Sequence, residues 1–196
     1  MYSIKENIEN TIIIKKSKFI TKLYNINNIN EINNILKDIK NEYNDATHVC
    51  YGYIVNSMEK CSDDKEPSGT AGIPILNVLK KNNLTNILAI VIRYFGGIKL
   101  GAGGLTRAYS NSVNEAIKLS NIVELIPGYL IEMEFSYDNV KLVDYMLNNK
   151  TIIDKKYNDN IIYKFYLNED ELYFTSELEK ISIHLSINNK ILIKKD

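Results

Sequence analysis

The stretch NILAIVIRYFGGIKLGAGGLTRAYSNSV, Asn86 to Val113, decides the fold. From Asn86 to Phe95 it is almost continuously apolar, without the alternation of a half-buried strand. Such a run reads as a strand covered on both faces. Gly96 to Gly104 follows, with five glycines in nine residues. A tight strand-to-helix turn needs fewer, and each glycine costs backbone entropy unless the chain must turn sharply or be closely approached. Beyond it Leu105, Ala108, Tyr109, Ser112, Val113, Ala116 and Leu119 recur at i, i+3, i+4 and i+7, the apolar stripe of a helix. Arg107, Asn111, Asn114 and Lys118 fall on the opposite side.

The flanking sequence extends this pattern. His48 to Val55 is dense in β-branched and aromatic residues and predicts a strand. Ile32, Ile35, Leu36, Ile39 and Tyr43 predict a helix over 29–43. Thr11 to Ile14 and Phe19 to Tyr24 predict an extended segment or hairpin around KKSK. The polar stretch 56–67 predicts a loop. Residues 69–82 predict a helix with Ile73, Leu76, Val78 and Leu79 near its inner face and Pro74 in its first turn. Strand, helix, strand, helix in this order predicts an α/β sandwich. Pro127-Gly128 reads as a break. After it come a strand at 129–135, a helix at 138–147, a hairpin from 151–157 and 161–167, a helix at 169–181 and a short strand at 190–194. That is βαββαβ, the ferredoxin-like order. The expected class is α+β, with domains at 1–127 and 128–196.

The chain has 196 residues and 45% hydrophobic content, enough to bury a core without staples. Its 24 basic and 24 acidic side chains balance, which argues against a strong non-specific polyanion binder but allows a local basic patch. Cys50 and Cys61 form neither a CxxC pair nor a disulfide framework. No signal-like segment opens the sequence, and no apolar run approaches the ~20 residues that span a bilayer. A cytoplasmic protein without membrane association is expected. Asn and Lys exceed Gln and Arg, a compositional drift that lowers the weight of any single exposed Lys or Asn.

Eight of the nine glycines lie between Gly52 and Gly104, so the special loops belong to the first domain. Gly96, Gly97, Gly101, Gly103 and Gly104 free backbone N–H groups before a helix start, an arrangement that favours anions. Lys99, Arg107 and Arg93 supply cations. The spacing is neither that of a P-loop nor GxGxxG. SDDKEPSGTAG, Ser62 to Gly72, sets Asp63, Asp64 and Glu66 around Lys65. Three carboxylates in four residues can hold Mg²⁺, pair with arginines across a cleft, or form a solvated loop. Ser68, Gly69 and Thr70 beside them resemble a second helix-start loop, and two such loops predict a shared cleft. His48 and Cys50 share a strand face. They read as a nucleophile pair or, the commoner arrangement, as a buried thiol beside a hydrogen-bonded imidazole. With His184 in the other domain, zinc is not expected.

ATHVCYGYIV, SDDKEPSGTAGIPIL and VIRYFGGIKLGAGGLTRAYSNSV, with KKSKFI before them, resemble the signature stretches of the YigZ/IMPACT family over residues 10–120. The resemblance implies a first domain of left-handed βαβ topology, shared with a ribosomal protein and elongation factor G. It also implies a ferredoxin-like second domain like the last domain of that factor. Eukaryotic relatives regulate translation by competing for a ribosome-associated activator of the kinase that phosphorylates initiation factor two, and use a further N-terminal domain to do so. Carried over by position, the family's polar residues are His48, Asp63, Asp64, Glu66, Ser68, Thr70, Arg93, Tyr94, Lys99, Arg107 and Tyr109. Its glycines are Gly69, Gly72, Gly96, Gly97, Gly101, Gly103 and Gly104. The sequence departs at Lys65, where the family often has glycine. Three functions are in view. One is a non-enzymatic, translation- or stress-linked regulator binding RNA or a ribosome-associated partner, without a cofactor. The second is an enzyme acting on a nucleotide or phosphorylated small molecule with carboxylate or Mg²⁺ assistance. The third is a structural module whose acidic and arginine side chains pair internally.

Overall fold

A computed structural model describes residues 1–195 of the chain. The chain divides into two compact units, 1–124 and 125–196, so the division falls a few residues before Pro127-Gly128.

The first unit begins with β1 (Tyr2–Ile4), β2 (Ile8–Ile14) and β3 (Ser17–Asn25). It continues through α1 (Asn30–Glu42), β4 (His48–Val55), β5 (Met58–Ser62), α2 (Gly72–Lys81), β6 (Ile87–Tyr94) and α3 (Ala102–Leu119). Its main sheet has the order β2-β3-β6-β4-β5, with every neighbouring pair antiparallel. β6 lies at the centre and is buried from Ile87 to Arg93. Ile87, Ala89 and Val91 face α2 and α3, joining Ile75, Leu79, Tyr109 and Val113. Leu88, Ile90 and Ile92 face α1, joining Ile32 and Ile39. The continuous apolar run is therefore read by two helical layers at once. An antiparallel strand reaches the covered state usual for parallel sheets because helices pack on both faces.

Several expected boundaries shift. Residues 58–62 form the edge strand β5, not loop. Glu59, Lys60 and Cys61 pair with β4 through their backbones, and polar side chains suit an exposed edge. α2 starts at Gly72, which turns Ile75, Val78 and Leu79 inward and leaves Ile73 exposed. Pro74 sits in the first turn, where no intrahelical donor is lost. Leu119, the last residue of α3, is exposed; the rest of its predicted stripe is buried. β1 had no sequence signal: three residues are too few for periodicity to register.

Pro127-Gly128 does not break the chain. β7 runs unbroken from Ile122 to Phe135. Its first residues pair with β1 in the first unit, and the remainder is the first strand of the second. Pro127 pairs with Leu192 before the pairing with the other neighbour begins at Gly128, and a proline is tolerated where the ladder is one-sided. Gly128 serves packing: a Cβ there would collide with the Ile193 side chain.

The second unit adds α4 (Val140–Met146), β8 (Ile152–Tyr157), β9 (Ile161–Asn168), α5 (Thr175–Glu179) and β10 (His184–Lys194). The predicted helices are shorter than expected, with 3₁₀ turns at Tyr137–Asn139 and Glu169–Phe174. The last strand is longer. β7 lies between β10 and β9, and β8 pairs outside β9, all antiparallel. This is the ferredoxin-like arrangement expected from βαββαβ. Ile131, Met133, Phe135, Tyr163 and Phe165 form its core with Val143 and Leu178.

The two-sided burial of β6 predicts that Ile90→Ala lowers unfolding free energy by about 2–5 kcal/mol, against about 0.5 kcal/mol or less for Ile13→Ala on the exposed edge. Urea denaturation followed by circular dichroism checks the difference.

Candidate functional site

The sequence-predicted site resolves into a buried polar network and an exposed glycine loop. The network centres on Glu66, which is 7% exposed. Its Oε1 accepts from Arg93 Nη1 at 2.5 Å and from Tyr109 Oη at 2.8 Å. His48 Nε2 lies 3.8 Å from the same oxygen. Arg93, at the end of β6, is also buried; Nη2 donates to Ser17 Oγ at 3.4 Å. Its guanidinium carbon lies 5.5 Å from the ring centres of both Phe19 and Phe95, within cation–π range. Among the described residues, Arg93 Nε is the one fully buried side-chain nitrogen or oxygen without a hydrogen-bond partner. Burial pushes the Tyr109 hydroxyl well above its ordinary range, and Cys50 and Glu66 add to the rise.

The acidic loop is bound into this network. Asp63 accepts from the backbone N–H groups of Gly69, Ala71 and Gly72 at 2.9, 2.9 and 2.7 Å. It occupies the start of α2 as an anion would. Partial burial would raise its pKa, but the three backbone donors outweigh that and hold the carboxyl below its usual range. Asp64 accepts from Val49 N–H at 2.7 Å, and Lys40 Nζ stands 3.9 Å from it. The Asp64 carbonyl accepts from His48 Nδ1 at 2.8 Å, so Nδ1 carries the hydrogen and Nε2 faces Glu66. Asp64 and Lys65 have φ of 41° and 69°. Left-handed backbone of this kind costs an L-residue about 1–2 kcal/mol, whereas glycine adopts it freely. Thr70 Oγ1 donates to the Pro67 carbonyl at 2.6 Å and closes the loop.

Cys50 is buried; its sulfur lies 3.0 Å from the Asp63 carbonyl and 3.4 Å from Tyr109 Oη. Burial pushes its thiol up to about 12, with Tyr109 lowering it and the nearby carboxylates raising it. The His48–Cys50 pair is thus a buried thiol beside a hydrogen-bonded imidazole. Among the described residues no group of three or more His, Cys, Asp or Glu side chains is arranged to hold a metal ion.

The second part is open. Gly101 precedes α3 at φ 70°, and no side chain caps the helix. Gly97 is at φ 82°, and both glycines have open space where a Cβ would stand. Lys99 and Arg107 are exposed, and neither makes an ion pair or side-chain hydrogen bond among the described residues. Gly103 and Gly104 lie in the first turn of α3. Gly96 belongs to the scaffold: a Cβ there would collide with the Lys16 backbone, and its N–H donates to Ser17 Oγ. Tyr94 points elsewhere, donating to Asp45 at 2.8 Å, and Ser68 is exposed on its turn. Arg107 also lines a groove of about 590 Å³ between α3 and the β2–β3 turn. The lining contains Lys15, Asn111 and Asn114 but no residue of the acidic loop. Ser17, which holds both Arg93 and Gly96, carried no signal in the sequence beyond its place in KKSK.

The Impact N-terminal domain family model matches residues 15–117. IMPACT family member YvyE of Bacillus subtilis is 38% identical over 181 residues, covering 90% of this chain and 83% of that protein. An IMPACT family member of Haemophilus influenzae is 36% identical over 183 residues, 89% of each chain. IMPACT family member YigZ of Escherichia coli is 39% identical over 110 residues, 54% of each. Among solved structures, the crystal structure of a hypothetical protein superimposes with a TM-score of 0.68 at 27% identity, covering 100% of this chain and 97% of that one.

Arg93→Ala strands Glu66 as a buried charge and lowers stability by about 3–5 kcal/mol, measured by chemical denaturation. Asp63→Ala uncaps α2 and costs about 0.5–2 kcal/mol at neutral pH. Because the folded pKa of Asp63 is lowered, its contribution is present above the unfolded carboxyl pKa of about 3.9 and is lost as pH falls through the folded value. Denaturation curves of wild type and Asp63→Ala therefore stay apart above about pH 4 and draw together as the pH falls below it.

Proposed function

The chain belongs to the IMPACT family, and from that premise we propose that it is a translation-linked regulator that acts by binding. Its contact surface is the glycine loop before α3, and its partner is an anionic component of the translation machinery. The observation that carries this reading is the contrast between the two helix starts. At α2 the backbone donors are already met by Asp63. At α3 they are uncapped, with Lys99 and Arg107 exposed beside them and unpaired among the described residues. A helix start flanked by free cations suits a phosphate or carboxylate on a partner surface.

An enzyme working through Asp63, Asp64 or Glu66 needs a carboxylate released from its present role. Asp63 holds three backbone donors, Asp64 holds Val49 N–H, and Glu66 holds Arg93 and Tyr109. The internal-pairing reading describes this acidic half well and leaves Lys99 and Arg107 without a role.

Ribosome co-sedimentation tests the reading. The wild type is expected in the ribosomal fraction at low salt and less so at moderate salt, as a contact made by cations requires. Lys99→Ala with Arg107→Ala moves it to the supernatant while preserving its melting temperature. A wild type that stays free of ribosomes at low salt overturns the reading.

A further inference from the structure

We propose that the groove between α3 and the β2–β3 turn binds single-stranded RNA. The inference rests on the reading above and names the chemical class of the partner.

Three observations place it there. First, the groove is lined by Lys15, Arg107, Ser110, Asn111 and Asn114 and by no carboxylate. In a chain whose charges balance, an acid-free groove holding two cations is a local feature that complements a polyanion. Second, Arg107, Asn111 and Asn114 stand at i, i+4 and i+7 of α3, a polar stripe about 10 Å long. Carboxamides offer both donors and acceptors, the combination that reads the edges of unpaired bases. Third, one of the cations comes from a strained turn. Ile14 pairs with Ser17, leaving Lys15 and Lys16 as the two residues of the hairpin loop, at φ 46° and 66°. These are the φ signs of a type I′ turn, where Asn-Gly fits and lysine does not. Two lysines held there against backbone preference point to a use for their charge. Neither makes an ion pair or side-chain hydrogen bond among the described residues.

The same features favour a single strand over other occupants. A protein partner would need apolar or aromatic anchors at its centre, and the groove offers only Ile14, Leu100 and Ala108 at its walls. A duplex hides its base edges in a deep groove and is held through phosphates by a broad basic face, which a chain of balanced charge does not present. A single strand exposes both phosphates, for Lys15 and Arg107, and base edges, for Asn111 and Asn114.

The test is fluorescence anisotropy of the full chain with a labelled single-stranded RNA of about ten nucleotides and with a duplex of equal length. The single strand is expected to bind at least about tenfold more tightly than the duplex, with log K falling linearly in log salt concentration. Lys15→Asn with Lys16→Gly relieves the turn, so the melting temperature holds or rises. The same change weakens RNA binding at least about tenfold and flattens the salt slope by about 0.7 for each phosphate no longer neutralised. Asn111→Ala with Asn114→Ala weakens binding and leaves the salt slope unchanged, because amides release no counterions. Equal affinity for the duplex, or undiminished binding by the turn variant, overturns the proposal. So does a wild type that binds no single-stranded RNA at low salt. If that wild type still sediments with ribosomes, the groove assignment fails and the regulatory reading stands; if it does not sediment either, both fail.

Discussion

The carboxylate of Glu66 is held out of water between Arg93 Nη1 and Tyr109 Oη, with His48 Nε2 close by. Those partners come from three elements around the acidic loop: the end of β6, the second turn of α3 and the start of β4. One buried oxygen thereby joins the loop to both segments that flank the glycine-rich turn. Removing a partner strands a charge in a dry site, so the geometry is maintained as a unit. Arg93 passes the constraint on through Ser17, whose hydroxyl also accepts from Gly96 N–H. Gly96 in turn rests directly on the Lys16 backbone. The hairpin turn, the glycine loop and α3 are thus fixed relative to one another by a chain of close contacts beginning at Glu66.

That constraint separates two loops of similar composition. PSGTAG and GGIKLGAGG each lead into a helix, and each presents backbone donors at its start. Asp63 folds back onto the first set, and its depressed pKa is the electrostatic signature of that occupancy. Gly101 at φ 70° ends the second loop, and no side chain caps the helix there. The difference is local sequence: SDDKEP supplies an anion nine residues before the start of α2, whereas the stretch before α3 supplies only Lys99. One helix start is a structural joint, and the other is a surface.

Periodicity showed the core of the first unit because β6 and α3 are long and their patterns unambiguous. The alternating assignment of Ile87 through Ile92 to two layers follows once both faces are known to be covered. β5 gives no signal because an edge strand can be polar, and Pro127-Gly128 reads as a break although β7 runs through it, because a glycine needed for packing against Ile193 looks like a glycine needed for a turn. At the site, residue types marked Asp63, Glu66, Arg93 and Arg107 together. Their division into buried glue and exposed cations was not legible, since carboxylates and guanidiniums read the same whether paired or free. Ser17 and the left-handed lysines at 15 and 16 were invisible for a related reason: backbone sign and hydroxyl direction leave no compositional trace.

The most direct measurement is an amide ¹H–¹⁵N titration of the full chain with the short single-stranded RNA. Shifts are expected at Gly97, Gly101, Gly103, Gly104 and Arg107 and at the Lys15-Lys16 turn. Gly69, Ala71 and Gly72 should stay in place because Asp63 already holds their N–H groups. Shifts concentrated at Gly69, Ala71 and Gly72, with the α3 start and the turn unmoved, would contradict that expectation.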